Sequence, residues 1–227
     1  MTDDRSFHSL GLRDDLLSRL QQMEFTQMTP VQAAALPSAL AGKDVVAQAS
    51  TGSGKTAAFA LACLQRLENT QFHVQTLVLC PTRELAEQVA ESFRELAKHL
   101  SNTKVTTLCG GVAIGPQIGS LQHSAHVVVG TPGRVLKHLQ KGTLHLHGLS
   151  SLVLDEADRM LDMGFIPQVK RIVRSTPRKE DRQTLLFSAT FSPDIMNLAR
   201  QWTFDPITVE IEPERVATEN VEQRVYL

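Results

Sequence analysis

The chain has 227 residues, 42% of them hydrophobic, and a formal net charge of −1, which is enough apolar material for one sizeable core or two small ones. Near-neutrality excludes a protein that coats nucleic acid through overall basicity, so any nucleic-acid contact must come from a local surface. Cys63, Cys80 and Cys109 form no CxxC pair, which argues against a zinc site and fits a reducing compartment; the acidic start MTDDRSF has no apolar h-region and no apolar run nears the ~20 residues of a membrane helix, so a soluble, cytoplasmic protein is expected.

The segment Asp15–Met23 has helical spacing, with Leu16, Leu17 and Leu20 on one face. Thr29 and Pro30 form a helix start, cap followed by proline at the first helical position, and predict a helix to about Leu40 that stops near Gly42. Asp44–Gln48 reads as a strand and Lys55–Leu67 as a helix. Thr76–Cys80 (TLVLC) is a continuous apolar strand of the kind buried on both faces of a parallel sheet. A helix over Arg83–His99 follows. Further strands are predicted at Lys104–Leu108, His126–Val129, Ser151–Leu154, Thr184–Phe187 and Ile207–Glu210. Further helices are predicted at Gly133–Gln140, Phe165–Arg174 and Pro193–Gln201. Alternation of this kind predicts an α/β protein whose parallel sheet carries helices on both faces. Ligands of such sheets bind beyond the carboxyl ends of the strands.

Two strand ends carry chemistry. After Asp44–Gln48 comes Ala49–Thr56, ASTGSGKT, the end of a Walker A loop with Ala49 at the usual first glycine. In such a loop backbone N–H groups and the following helix N-terminus favour a phosphate, a lysine faces the β and γ phosphates and a hydroxyl serves Mg²⁺. Ser50, Thr51, Gly52, Ser53, Gly54, Lys55 and Thr56 are the candidate phosphate-binding residues, Lys55 and Thr56 filling the last two roles. After Ser151–Leu154 come Asp155, Glu156, Ala157 and Asp158. Alone these acids read equally as a solvated helix start. Beside a phosphate loop, Asp155 is the candidate Mg²⁺ ligand and Glu156 the group that orients or deprotonates the attacking water.

Asp155–Asp158 spells DEAD. Together with ASTGSGKT, PTRELA at 81–86, GG at 110–111, TPGR at 131–134 and SAT at 188–190, it resembles the first RecA-like domain of a DEAD-box RNA helicase. The resemblance implies a RecA-like, P-loop NTPase fold and RNA remodelling driven by ATP with Mg²⁺. Met28–Gln32 resembles the family's Q motif. Gln32 is then expected to bond the adenine edge and Phe25 to stack on the base, while Phe7 matches an upstream aromatic that could equally be core. Pro81, Thr82, Arg83, Gly110, Gly111, Thr131, Pro132, Gly133 and Arg134 are expected to hold the RNA backbone without reading bases; each also reads as a helix cap or turn. Ser188 and Thr190 are expected to couple the ATP and RNA faces by bonding Asp158.

The resulting division is an N-terminal segment over 1–27, a RecA-like domain over 28–205, and a domain edge with the start of a linker over 206–227. VEQRVYL at 221–227 resembles the opening strand of a second RecA-like domain, and nothing else of that domain, including its arginine-finger stretch, is found. The chain is therefore expected to bind adenine nucleotide, to bind RNA weakly and to be nearly inactive by itself. A non-catalytic ATP-dependent RNA-binding or scaffold module is the alternative; a DNA translocase fits the DEAD and Q motifs poorly. His145–His147 reads as a half-exposed strand or loop, Trp202 as packing, and Lys170, Arg171, Arg174, Arg178, Lys179 and Arg182 as a solvated basic face.

Overall fold

The computed structural model describes residues 5–211. In chain order the elements are α1 (Asp14–Gln22), α2 (Pro30–Leu40), β1 (Val45–Gln48), α3 (Lys55–Gln65), β2 (Thr76–Leu79), α4 (Arg83–Leu96), β3 (Val105–Leu108), α5 (Ile114–Gln122), β4 (Val127–Gly130), α6 (Pro132–Gln140), β5 (Ser151–Leu154), α7 (Ala157–Asp162), α8 (Ile166–Val173), β6 (Gln183–Ser188), α9 (Pro193–Trp202) and β7 (Ile207–Glu210), with short 3-10 turns at Phe7–Leu10 and Ala97–His99. Among the described residues the strands form one seven-stranded sheet, β3-β4-β2-β5-β6-β1-β7, in which every neighbouring pair is parallel.

Successive strand residues point to opposite faces, so each of the central strands feeds two cores. Val45, Ala47, Val78, Val127, Val129, Val153, Leu185 and Phe187 pack with α1 to α4. Val46, Leu77, Leu79, Val128, Leu152, Leu154 and Leu186 pack with α6 to α9. Such double burial is why the strands read as unbroken apolar runs.

The predicted boundaries hold to within a residue or two in most elements, and the caps explain why. The Thr29 side chain accepts from the Gln32 backbone while the Gln32 side chain accepts from the Thr29 backbone, a capping box that starts α2. Thr82 caps α4 through the Leu85 N–H at 3.2 Å. Two helices lie outside the sequence reading. Gly115, Pro116 and Gly119 disguise α5; Pro116 falls in its first turn, where a missing N–H costs nothing. The second, α7, is a six-residue helix that begins inside DEAD, at Ala157.

The basic face needs one correction. Arg182 is buried, and its guanidinium donates to the carbonyls of Pro177 and Trp202, tying the β6 entrance to the end of α9. Phe7 and Trp202 are core residues. Residues 144–147 form an irregular segment leading into a turn, outside the sheet, with Leu144 and Leu146 buried and both histidines exposed. The expectation for 221–227 lies outside the described residues. Among them, no helix is long and apolar enough to cross a membrane.

Candidate functional site

The loop after β1 turns back over the end of the sheet through two left-handed glycines, Gly52 (φ 83°) and Gly54 (φ 89°). Gly54 also leaves no room for a side chain: a Cβ there would lie 2.7 Å from Gln32 Nε2 and 2.8 Å from Thr29 Oγ1. The α2 start thus braces the loop, and Gln32 Nε2 donates to the Gly54 carbonyl at 3.0 Å. Ser53 Oγ closes the turn on the Ser50 carbonyl at 2.8 Å. The N-terminus of α3 opens directly behind, with its first N–H groups free of helical partners.

Lys55 is only 3% exposed and Asp155 is fully buried. The Lys55 ammonium stands 3.0 Å from Asp155 Oδ1 and 3.6 Å from Glu156 Oε1. The first contact is a close, fully buried ion pair. Glu156 has left-handed backbone (φ 53°, ψ 55°), a conformation that costs a non-glycine residue about 1–3 kcal/mol and gathers at functional sites. It turns the carboxylate into the loop, where Oε1 accepts from Thr51 Oγ1 at 3.0 Å and Oε2 lies 3.5 Å from Arg159.

Burial pushes the Asp155 carboxyl up from its ordinary value of 3.8, and the Lys55 charge opposes but does not cancel that push. With the folded value above the unfolded one, the fold penalises the ionised form. That penalty is absent below pH 3.8 and complete above the raised folded value, so neutral pH carries it. Asp155→Asn is therefore expected to unfold at a higher temperature than the parent at pH 7, with the gap closing toward pH 4, in a thermal melt of the ligand-free protein. A lower melting temperature for the variant at pH 7 would mean that the lost attraction to Lys55 outweighs burial.

Beside the loop lies a cleft of about 680 Å³, lined among others by Phe25, Gln32, Gly54, Thr56, Glu91 and Leu96. Phe25 is 38% exposed there. Gln32 uses one N–H on Gly54 and one lone pair on the Thr29 N–H, which leaves one donor and one acceptor on the same amide.

Further along the carboxyl edge, the ends of β2, β4 and β3 bring together 81–83, 131–134 and 110–111. Gly111 is left-handed (φ 81°) and packs by Arg83, whose Nε pairs with Glu87 Oε1 at 2.8 Å. Thr131 precedes α6 without a side-chain cap bond, so the helix start there is open. Asp158 joins the two halves of this edge. Its Oδ2 accepts from the N–H groups of Ala189 and Thr190, both at 3.1 Å, and from Thr190 Oγ1 at 3.3 Å. The expectation for Ser188 is corrected: its hydroxyl is buried and makes no hydrogen bond, while its carbonyl accepts from the Ala49 N–H at 2.9 Å. The phosphate loop is thus fastened to β6 through backbone.

The profile of the DEAD/DEAH box helicase family matches residues 29–198. The chain belongs to that family. Among curated relatives it is 54% identical over 210 residues to the ATP-dependent RNA helicase DbpA of Escherichia coli (strain K12), covering 92% of this chain and 45% of that protein. It is 46% identical over 228 residues to the ATP-dependent RNA helicase RhlB of Pseudomonas syringae, covering 97% and 57%. The crystal structure of a DEAD box protein from the hyperthermophile Methanococcus jannaschii superposes with a TM-score of 0.86 at 40% identity, over 92% of this chain and 56% of that one. The chain spans about half the length of the curated relatives it matches.

The DEAD-box assignment makes the fold RecA-like, as expected, and explains why the motif residues converge on one sheet edge. It does not cover everything placed there. Arg134 turns inward, donating to Gln117 Oε1 at 3.0 Å and to the Val112 carbonyl at 2.8 Å. Gln117 has no local signature because α5 has none; Arg159 stands three residues after Glu156 on α7, the spacing at which the two side chains meet.

Proposed function

We propose that this chain is the ATP-binding part of an ATP-dependent RNA helicase, binding adenine nucleotide at 49–56 and the RNA backbone at 81–83, 110–111 and 131–134. The observation that carries this reading is that Thr51 and Lys55 contact Asp155 and Glu156 while Asp158, two residues further along the same turn, bonds Thr190. That adjacency gives nucleotide chemistry a physical route to the neighbouring loops.

Phe25 stacks on the base while the free donor and acceptor of Gln32 take the adenine edge. The N–H groups at the α3 start receive the phosphates, and Lys55 leaves Asp155 to pair with them. Glu156 then orients the attacking water and accepts its proton. The residues present suit Mg²⁺: the buried carboxylate of Asp155 and the hydroxyl of Thr56, which lines the cleft, are the oxygen ligands that would hold it. When bound it supplies charge neutralisation to the phosphates. Turns and helix starts hold the RNA phosphates, which carry no base identity, so binding is independent of sequence.

Calorimetry with ADP and GDP tests the nucleotide half. The parent is expected to prefer ADP, and Gln32→Ala to bind ADP roughly 5- to 150-fold more weakly, as for two lost hydrogen bonds, with a narrower gap to GDP. An unchanged preference in the variant removes Gln32 from the base site; no ADP binding by the parent removes the whole reading.

A further inference from the structure

Three loops of the edge have to keep a fixed spacing if each is to meet a neighbouring phosphate of one strand. A single side-chain network spans two of them. Gln117, 9% exposed on α5, donates from Nε2 to the Cys109 carbonyl at 3.0 Å, just before Gly110. That donation fixes which end of the amide is oxygen. Oε1 therefore accepts twice, from Arg134 at 3.0 Å and from His138 Nε2 at 3.1 Å. His138 must then carry its proton on Nε2, and its Nδ1 faces Thr143 Oγ1 at 2.9 Å. His138 is fully buried, and burial together with the nearby Arg134 and Lys141 charges lowers its affinity for a second proton. The other arm of Arg134 holds the Val112 carbonyl at 2.8 Å, just after Gly111.

We propose that Gln117 and His138 are positioning residues for RNA: through Arg134 they lock the Gly110–Gly111 loop to the start of α6 at the spacing an RNA backbone requires. The inference rests on the RNA reading above. Both ends of the Gly-Gly loop are held, one by Gln117 at residue 109 and one by Arg134 at residue 112, and both holders meet at a single amide oxygen. Glycines give that loop close access to a ligand but no stiffness of their own. With the network intact, the loop's ordering cost is met before RNA arrives; with it cut, binding has to supply that cost. The network members touch neither the phosphate loop nor Asp155.

Gln117→Met keeps the length and volume of the side chain and removes all three bonds. His138→Phe fills its site and removes two, the bond to Gln117 and the bond to Thr143. The test is binding of a fluorescent single-stranded oligouridylate at several salt concentrations, beside ADP binding and amide exchange at 109–112. Gln117→Met is expected to weaken RNA binding about 5- to 10-fold at every salt, with an unchanged salt slope because no phosphate contact is lost, faster exchange at 109–112, and ADP affinity within about twofold of the parent. The double variant is expected to lose little more than Gln117→Met alone, since the two share one link. Parent-like RNA affinity in Gln117→Met, despite faster exchange at 109–112, overturns the positioning role. Loss of ADP affinity in step with RNA affinity also overturns it, because the network would then serve folding. A parent chain that binds no oligouridylate even at low salt overturns the RNA reading itself.

Discussion

Glu156→Gln is expected to retain adenine nucleotide and to lose ATP turnover by about 10²–10⁴-fold, the usual effect of removing a general base. Glutamine has the shape of glutamate and can still accept from Thr51 Oγ1, a bond of 3.0 Å in the parent. The left-handed turn at residue 156 is a backbone property and should persist. What disappears is the negative charge that draws and accepts the water proton. Lys55→Ala should behave oppositely, because its ammonium faces Asp155 and Glu156 and is the buried cation nearest the phosphate loop: nucleotide affinity itself should fall. Turnover is best measured by rapid quench in a protein that also carries a second RecA-like domain, with nucleotide affinity taken from calorimetry. Undiminished turnover by Glu156→Gln would remove its catalytic role.

The elements of this site differ in how plainly the sequence states them. Lys55 was legible because it closes a glycine-rich loop between a strand and a helix, and Asp155 because a charge at the end of an apolar strand needs a partner. The strand runs themselves were legible because both faces of the sheet are covered. Contacts made by one polar side chain across long sequence separations were not. Gln117 reaches Arg134 and His138 only because α5 forms despite Gly115, Pro116 and Gly119, and local propensity points the other way there. Arg182 read as solvated because four of the charges near it are; its burial depends on the carbonyls of Pro177 and Trp202, and Trp202 is twenty residues away. Ser188 was assigned a hydroxyl role by analogy of motif, whereas the link it makes is through a carbonyl that any residue would supply.

The chain by itself is expected to hydrolyse ATP slowly and to show little stimulation by RNA. Among the described residues the ion-pair partners of Asp155 and Glu156 are Lys55 and Arg159. Lys55 is committed to the phosphates once nucleotide binds. Arg159 has a side chain 57% exposed, held loosely at 3.5 Å from Glu156, and a solvated cation offers little stabilisation to charge building on a transferring phosphoryl group. An arginine finger from a facing domain contributes about 10³–10⁵ in rate in related P-loop enzymes. The relatives run to about twice the matched length, which is where such a domain would lie. Joining this chain to the part of E. coli DbpA beyond the match is therefore expected to raise RNA-stimulated turnover by about that factor. RNA and nucleotide should also become coupled, each tightening the other, because closure of two domains is a two-state element that both ligands bias. In the single chain Asp158 and Thr190 are joined by hydrogen bonds at 3.1–3.3 Å, a link between the faces that does not require the two ligands to share one closing motion. The measurement is steady-state ATP hydrolysis with and without oligouridylate for both proteins, with Lys55→Ala of each as the control for contaminating enzyme. Fast, RNA-stimulated hydrolysis by residues 1–227 alone, abolished by Lys55→Ala, would show that Arg159 or another cation of this chain completes the site.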